Sequence, residues 1–146
     1  MASVKTYDPK KVTVVFGPVI VTGFSEGTFI TVATRGDGND AIVGCDQEIV
    51  RSISPDSILK QITLTLLQTS SSNDQLSLLH DVDNANGNGL VPMVIKDLSG
   101  RSVFSASQAW IVKKPDWKRG KTAGDGNLEW SILAVAEDEA FLIGGH

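Results

Sequence analysis

Cysteine is nearly absent from this chain. Cys45 is the only one in 146 residues, which excludes an intrachain disulfide framework and a multi-cysteine zinc site. Histidine is almost as scarce: His80 and His146 are the only two, so a Ser or Cys nucleophile has few bases to draw on, a triad is not expected, and His80 reads most simply as a surface or boundary residue of the helix. Apolar runs are short, none approaching the ~20 residues that a membrane helix needs. The opening Met1-Ala2-Ser3-Val4-Lys5-Thr6-Tyr7-Asp8 lacks the apolar core of a secretory signal. The expectation is a chain neither exported through the general secretory route nor set in a membrane. Positive charge is in deficit, with 13 Lys and Arg against 17 Asp and Glu and a net charge of -4, which gives no general case for binding nucleic acid. No metal, cofactor or catalytic function is expected.

What remains is an ordinary globular composition, 41 % hydrophobic and 21 % charged, in a length that suits one domain over residues 1–146. The stretch from Ile58 to Pro92 organises it. Ile58, Ile62, Leu64 and Leu66 alternate with Gln61, Thr63 and Thr65, the period of two of a half-buried strand, which only Lys60 interrupts. Thr69-Ser70-Ser71-Ser72 then offers hydroxyls to free helix amides, and Ser72 with Gln75, or Ser71 with Asp74, fits a capping box. A short amphipathic helix is predicted over about Asn73 to Asn84, with Leu76, Leu79 and Val82 toward a core. It should stop at Asn86-Gly87-Asn88-Gly89.

On either side of this stretch the chain reads as strand. Residues 1–11 form a polar N-terminal arm. Val12 to Phe16 and Val19 to Phe24 flank the turn signal Gly17-Pro18, and Thr28 to Ala33 follows as a third β-branched strand, together an opening meander. Residues 34–57 read as a long loop holding two short extended pieces around Ile42-Val43 and Ile49-Val50, which need a partner surface to bury their apolar anchors. Further strands are expected from Leu90 to Lys96, from Arg101 to Val112, and from Leu128 to Ala134, with an acidic run at Glu137-Asp138-Glu139.

Several motifs approach known chemistry and then fail. Asp37, Asn39 and Glu48 touch the calcium-loop spacing, but Ala41 and Ile42 replace a ligand and the required glycine. Asn84, Asn86, Asn88 and Gly89 do the same, with Ile95 where a bidentate Glu belongs. The glycines of both regions lack the Lys-Ser/Thr or the strand-to-helix setting of a phosphate loop. One charge feature stands out: Lys113, Lys114, Lys118, Arg119 and Lys121 surround Trp117 within nine residues of an acidic protein. Such a segment could grip phosphate, but contact with an acidic protein surface, or simply keeping an edge soluble, is the favoured reading. An exposed indole suggests contact.

Taken in order, Thr22-Gly23-Phe24, Gly27-Thr28-Phe29-Ile30, the run Ile62 to Asp74, Gly87-Asn88-Gly89, Ile95 to Arg101, Ala109-Trp110-Ile111 and Glu129-Trp130 resemble the tail tube proteins of contractile-tailed bacteriophages. The resemblance runs from about Tyr7 to Gly145. It implies a mainly β fold, a β-sandwich or partial barrel with one flanking α-helix. It also implies homohexameric rings stacked into a tube through which DNA passes without sequence-specific binding. The tail sheath, tape measure and tail terminator or baseplate proteins would be partners, and the virion the location after synthesis in the bacterial host cytoplasm. Candidate assembly contacts are Phe24, Phe29, Ile42, Val43, Ile49, Val50, Lys113, Lys114, Trp117, Lys118 and Arg119. The other function class compatible with the residues is a monomeric β-sandwich that binds carbohydrate or calcium.

Overall fold

The computed structural model describes residues 4–98, 102–136 and 141–142. The strands are β1 (Val12–Phe16), β2 (Val19–Val21), β3 (Ile30–Thr34), β4 (Asn39–Val43), β5 (Ile49–Ile53), β6 (Leu59–Leu66), β7 (Val91–Asp97), β8 (Val103–Lys113), β9 (Leu128–Val135) and β10 (Phe141–Leu142), with α1 (Ser72–Asn86) between β6 and β7. The protein is mainly β, with one α-helix among the described residues. The acidic run at 137–139, residues 99–101 of the expected turn and strand start, and His146 lie outside those residues.

Alternation in sequence becomes the inside and outside of one antiparallel sheet, ordered β2-β1-β7-β8-β9-β6-β3, with β10 added on β8. In β6, Ile62, Leu64 and Leu66 are fully buried while Gln61 faces out. Their cross-strand neighbours Ile132 and Trp130 are buried on the same face, as a shared register demands. Val14, Phe16, Met93 and Phe104 complete the core. Lys60 falls on the inward parity and is buried with its strand, its Nζ donating to Thr34 Oγ1 at 3.2 Å.

The sheet rolls up. Val12, Ile30, Val32, Ile95 and Phe104 line one hollow of about 340 Å³, so strands from distant parts of the sheet path face the same interior. The mainly β architecture with one flanking helix is the expected one. The expected opening meander is not formed: β1 and β2 do make the hairpin, but β3 pairs with β6 instead of β2. Gly23 turns the chain at φ +77°, a backbone conformation that favours glycine. Its carbonyl accepts from Leu67 N–H at 2.8 Å, Phe24 bridges Leu66, and Ser25 N–H donates to Thr65 O at 3.1 Å. The second strand therefore ends at Val21, and the chain crosses to the far edge of the sheet.

The helix starts one residue earlier than expected and ends two later. Neither expected capping box forms. The N-cap is Ser71, whose side chain makes no cap bond. Ser72 Oγ instead accepts from Thr22 N–H at 3.0 Å, and Ser70 Oγ donates to Thr22 O at 2.6 Å. Tertiary docking thus claims the Ser72 hydroxyl, while Ser70 Oγ serves both, accepting from Ser72 N–H at 3.2 Å at the helix start as it donates to Thr22 O. Leu76 is buried and Leu79 packs on the core, but Val82 is 41 % exposed, so the apolar stripe is shorter than its periodicity suggests. Gly87, at φ +73°, stops the helix with its N–H donating to Asp83 O. No helix among the described residues is long and apolar enough to cross a membrane.

Candidate functional site

Residues 34–57 are not the long loop the sequence suggests. Thr34 ends β3, β4 and β5 form a self-contained antiparallel hairpin, and Pro55–Ile58 makes a short 3-10 turn into β6. Ser54 N–H donates to Gly38 O at the base of the hairpin. At its tip Gly44 N–H donates to Glu48 O at 2.7 Å, Gln47 takes φ +67°, and Asp46 Oδ1 accepts from Glu48 N–H. Ile42 faces Val50 and Val43 faces Ile49 across the ladder. Because direct neighbours share a face and successive residues alternate, one pair lies on each side of the ribbon. Near the tip both sides are apolar and bare, Ile42, Val43, Ile49 and Val50 being all at least half exposed, while Asp40, Ser52 and Arg51 make the base half more polar and Ile53 there is 79 % exposed. An isolated two-stranded hairpin is marginal in water, and a ribbon with two apolar sides calls for a partner on each.

The basic segment joins β8 to β9. Lys113 closes β8 and Lys114 Nζ pairs with Asp81 of α1 at 2.7 Å. Trp117 is 75 % exposed with the Arg119 guanidinium 4.4 Å from its ring centroid, and Arg119 Nη1 donates to Lys118 O at 2.8 Å. The return is fastened by the short turn Ala123–Gly126, where Thr122 and Asp125 form a reciprocal cap. Between this segment and the start of α1 lies a cleft of about 530 Å³, lined by Gln68, Ser70, Ser71, Lys114, Trp117 and Arg119 among others. Its floor includes Trp130, whose Nε1–H donates to Asn73 Oδ1 at 2.9 Å.

Phe24 and Phe29 stack on each other, centroids 4.8 Å apart, and are half-buried. They face a hollow of about 600 Å³ that Tyr7, Pro9 and Lys10 also line. Part of the N-terminal arm thus lies along its own domain, where Asp8 accepts from Lys10 N–H and starts a one-turn 3-10 helix.

The candidates form three separate surfaces. The hairpin departs where β6 begins, since Arg35 N–H donates to Leu59 O and the 3-10 turn feeds directly into β6. The cleft lies past the other end of β6, at Gln68 to Ser71, beside the start of β9. Two features escaped the sequence reading. Ile20, on edge strand β2, is 68 % exposed next to Val15; the signal was its opposite parity to buried Val19 and Val21. The pairing of the two extended pieces into one hairpin was also missed, although their apolar clusters at 42–43 and 49–50 were read as anchors in need of a partner surface. The calcium-like spacing comes to nothing, because Asn39 sits at the base of the hairpin and Glu48 at its tip. His80 rests beside Asn84, their Nε2 and Nδ2 3.2 Å apart.

Comparison with known proteins adds three findings. The family described as the bacteriophage PhiTE tail tube protein matches residues 13–142. "Structural protein ORF10" of Pseudomonas phage KPP10 is 36 % identical over 118 residues, covering 75 % of this chain and 68 % of that protein. A chain of the anti-feeding prophage cap, the AFP tube terminating cap, solved by cryo-electron microscopy, superposes with a TM-score of 0.54 over 93 % of this chain and 91 % of its own length. At 12 % identity the last likeness is one of fold.

Proposed function

We propose, because this chain belongs to the bacteriophage PhiTE tail tube protein family and is a structural component of a phage tail, that it assembles into closed homohexameric rings which stack into the inner tube of the tail. The observation that carries this reading is the β4–β5 hairpin, exposed throughout its strands and with an apolar pair on each side near its tip. Ile42, Val43, Ile49 and Val50 bury themselves against neighbouring copies in the assembled tube. Within a ring, the free edges of β2 and β3 supply lateral contacts. Neither strand contains a charged residue, and exposed edges of that kind favour pairing with another chain. Phe24 and Phe29 lie beside the second of these edges and contribute to the same seam.

The outward positions of β3, β6 and β9 are Thr31, Thr63, Thr65 and Ser131 with Gln61, then Ala33, Leu59, Leu133 and Val135 toward the hairpin end, with Glu129 their one formal charge. A hydroxyl-rich, nearly neutral wall suits a lumen that lets DNA slide, so this face is assigned to the channel. The cations of Lys113 to Lys121 then belong to protein contact and not to DNA, since a tube that gripped its genome would obstruct ejection. Tight, salt-sensitive binding of duplex DNA that disappears when Lys113, Lys114, Lys118 and Arg119 become alanine would reverse that assignment. The protein acts without catalysis or cofactor. It is made in the bacterial host cytoplasm, and in the virion it meets a contractile sheath outside, a tape measure within, and terminator or baseplate proteins at the ends of the tube.

Sedimentation velocity on two proteins tests the reading: the intact chain, and a chain in which residues 38–54 are replaced by a short Gly-Ser link. The intact chain is expected to sediment as rings or larger particles and the shortened one as a folded monomer. Equal sedimentation of the two would show that the hairpin does not drive assembly.

A further inference from the structure

The hairpin tip and the basic cleft carry opposite charge and sit at opposite ends of the same strand. Asp46 and Glu48 occupy the tip turn, next to the apolar pairs of the ribbon. Lys114 and Arg119 line the cleft together with the carboxylate of Asp74, Lys118 precedes Arg119 in the chain, and the Arg119 guanidinium lies 4.4 Å from the ring centroid of exposed Trp117. With Nη1 donating to Lys118 O, the other guanidinium N–H groups of Arg119 remain to bind a carboxylate. The indole itself offers apolar area of the kind that a bare Ile or Val side chain seeks.

The eight residues of β6 separate the two features, a span of roughly 25 Å at about 3.3 Å per residue. A hairpin leaving one end of the barrel cannot easily return to a cleft past the other end, but it can reach that cleft on a neighbouring copy. A contact between unlike surfaces at opposite ends of a subunit is heterologous, and repeated along one direction it generates an open stack.

We propose that the acidic tip of the β4–β5 hairpin of one copy seats in the Lys114–Arg119 cleft of a copy in the adjacent ring. Glu48 and Asp46 face Lys118 and Arg119, and Ile49 or Val43 covers Trp117. The occupant is a second copy of this chain, since the tip supplies both the charge and the apolar surface that the cleft lacks. The hydroxyls of Ser70 and Ser71 line the cleft from the helix side. This seat rests on the ring-stacking reading above and specifies the contact between rings that it requires.

Cys45 lies in the tip turn and is exposed, so the native thiol reports on the seat. Lys118→Cys and, separately, Ser71→Cys place a second thiol at two points around the cleft. Assembled material is treated with a mild oxidant and run on a non-reducing gel. The expected result is a ladder of cross-linked chains for at least one variant, absent from the wild type and lost when Cys45 is also changed to Ser. Tubes of both variants that form normally yet give no ladder would overturn the proposal and leave the cleft to an acidic segment of another protein, while the tube reading stands. A wild-type chain that never assembles would overturn the tube reading, and the seat with it. As an independent check, Lys118→Glu with Arg119→Glu is expected to raise the concentration needed for assembly by about tenfold, and adding Asp46→Lys with Glu48→Lys should recover most of that loss. Failure of the second pair to recover any assembly, with all variants folded, would also count against the seat.

Discussion

Asn73 joins three parts of the molecule through one carboxamide. Its Oδ1 accepts from the buried indole of Trp130, and its Nδ2 donates to Leu67 O at 3.0 Å, tying the start of α1 to β9 and to the end of β6. Asn73→Ala strips a partner from a buried N–H and a carbonyl at once, which should destabilise the dissociated subunit by about 2–3 kcal/mol, read as a lowered urea midpoint with an unchanged slope. The two left-handed glycines offer a sharper comparison. A Cβ at Gly23 would lie 2.6 Å from Ser70 Cβ, whereas a Cβ at Gly87 meets nothing within 4 Å. Gly87→Ala should therefore cost about 1 kcal/mol, for backbone conformation alone. Gly23→Ala should cost clearly more, and equal thermal shifts for the two would mean that the crossing at Ser70 is not tightly packed. At this scale the sequence was a partial guide. The Ser70 and Ser72 hydroxyls were recognisable as a helix start, but their bonds to Thr22 span about fifty residues, and no local pattern reports such a partner. Lys60 was read as a break in an apolar face, yet its inward parity predicts the burial that the structure gives it.

Strand by strand, the elements buried on one face were the most legible, because alternation is a local signal of a long-range fact. β6 and β9 lie within a residue or two of where the alternation from Ile58 to Leu66 and from Leu128 to Ala134 places them. The connection between β2 and β3 was not legible. Adjacent β-branched strands favour a hairpin, and only the backbone of Gly23, engaged by Leu67, sends β3 to the other edge of the sheet. The two pieces of β4 and β5 were read as extended but not as paired: with no residue buried on their own domain, they show no apolar and polar alternation, and the residues around them look like loop. That exposure has a dynamic consequence. In a dissociated subunit the ladder amides of β4 and β5 should exchange with solvent far faster than those of β6 and β9, and in the assembled state they should become protected. Full protection of residues 39–53 in a demonstrated monomer would show that the hairpin is stable alone and would remove the reason for it to seek a neighbour.

For the molecule as a whole, the balance of the chain points outward. The rolled sheet and α1 bury a sufficient core, while apolar residues of the hairpin and of edge strand β2 stay in water and five of the 13 Lys and Arg residues gather in a single connection. Among the described residues no group of three or more His, Cys, Asp or Glu side chains could hold a metal ion, so a chelator should leave the melting temperature unchanged; a clear rise with added calcium would revive the binding-module alternative. Family membership was legible from the order of many short strings, whereas the seat between rings was not, because it depends on two segments about seventy residues apart that meet only between copies. The most direct measurement is electron microscopy of the purified protein across rising concentration at moderate salt. Six-fold rings and stacked hollow tubes are the result this account requires. A uniform monomer throughout that range, folded and soluble, would contradict it.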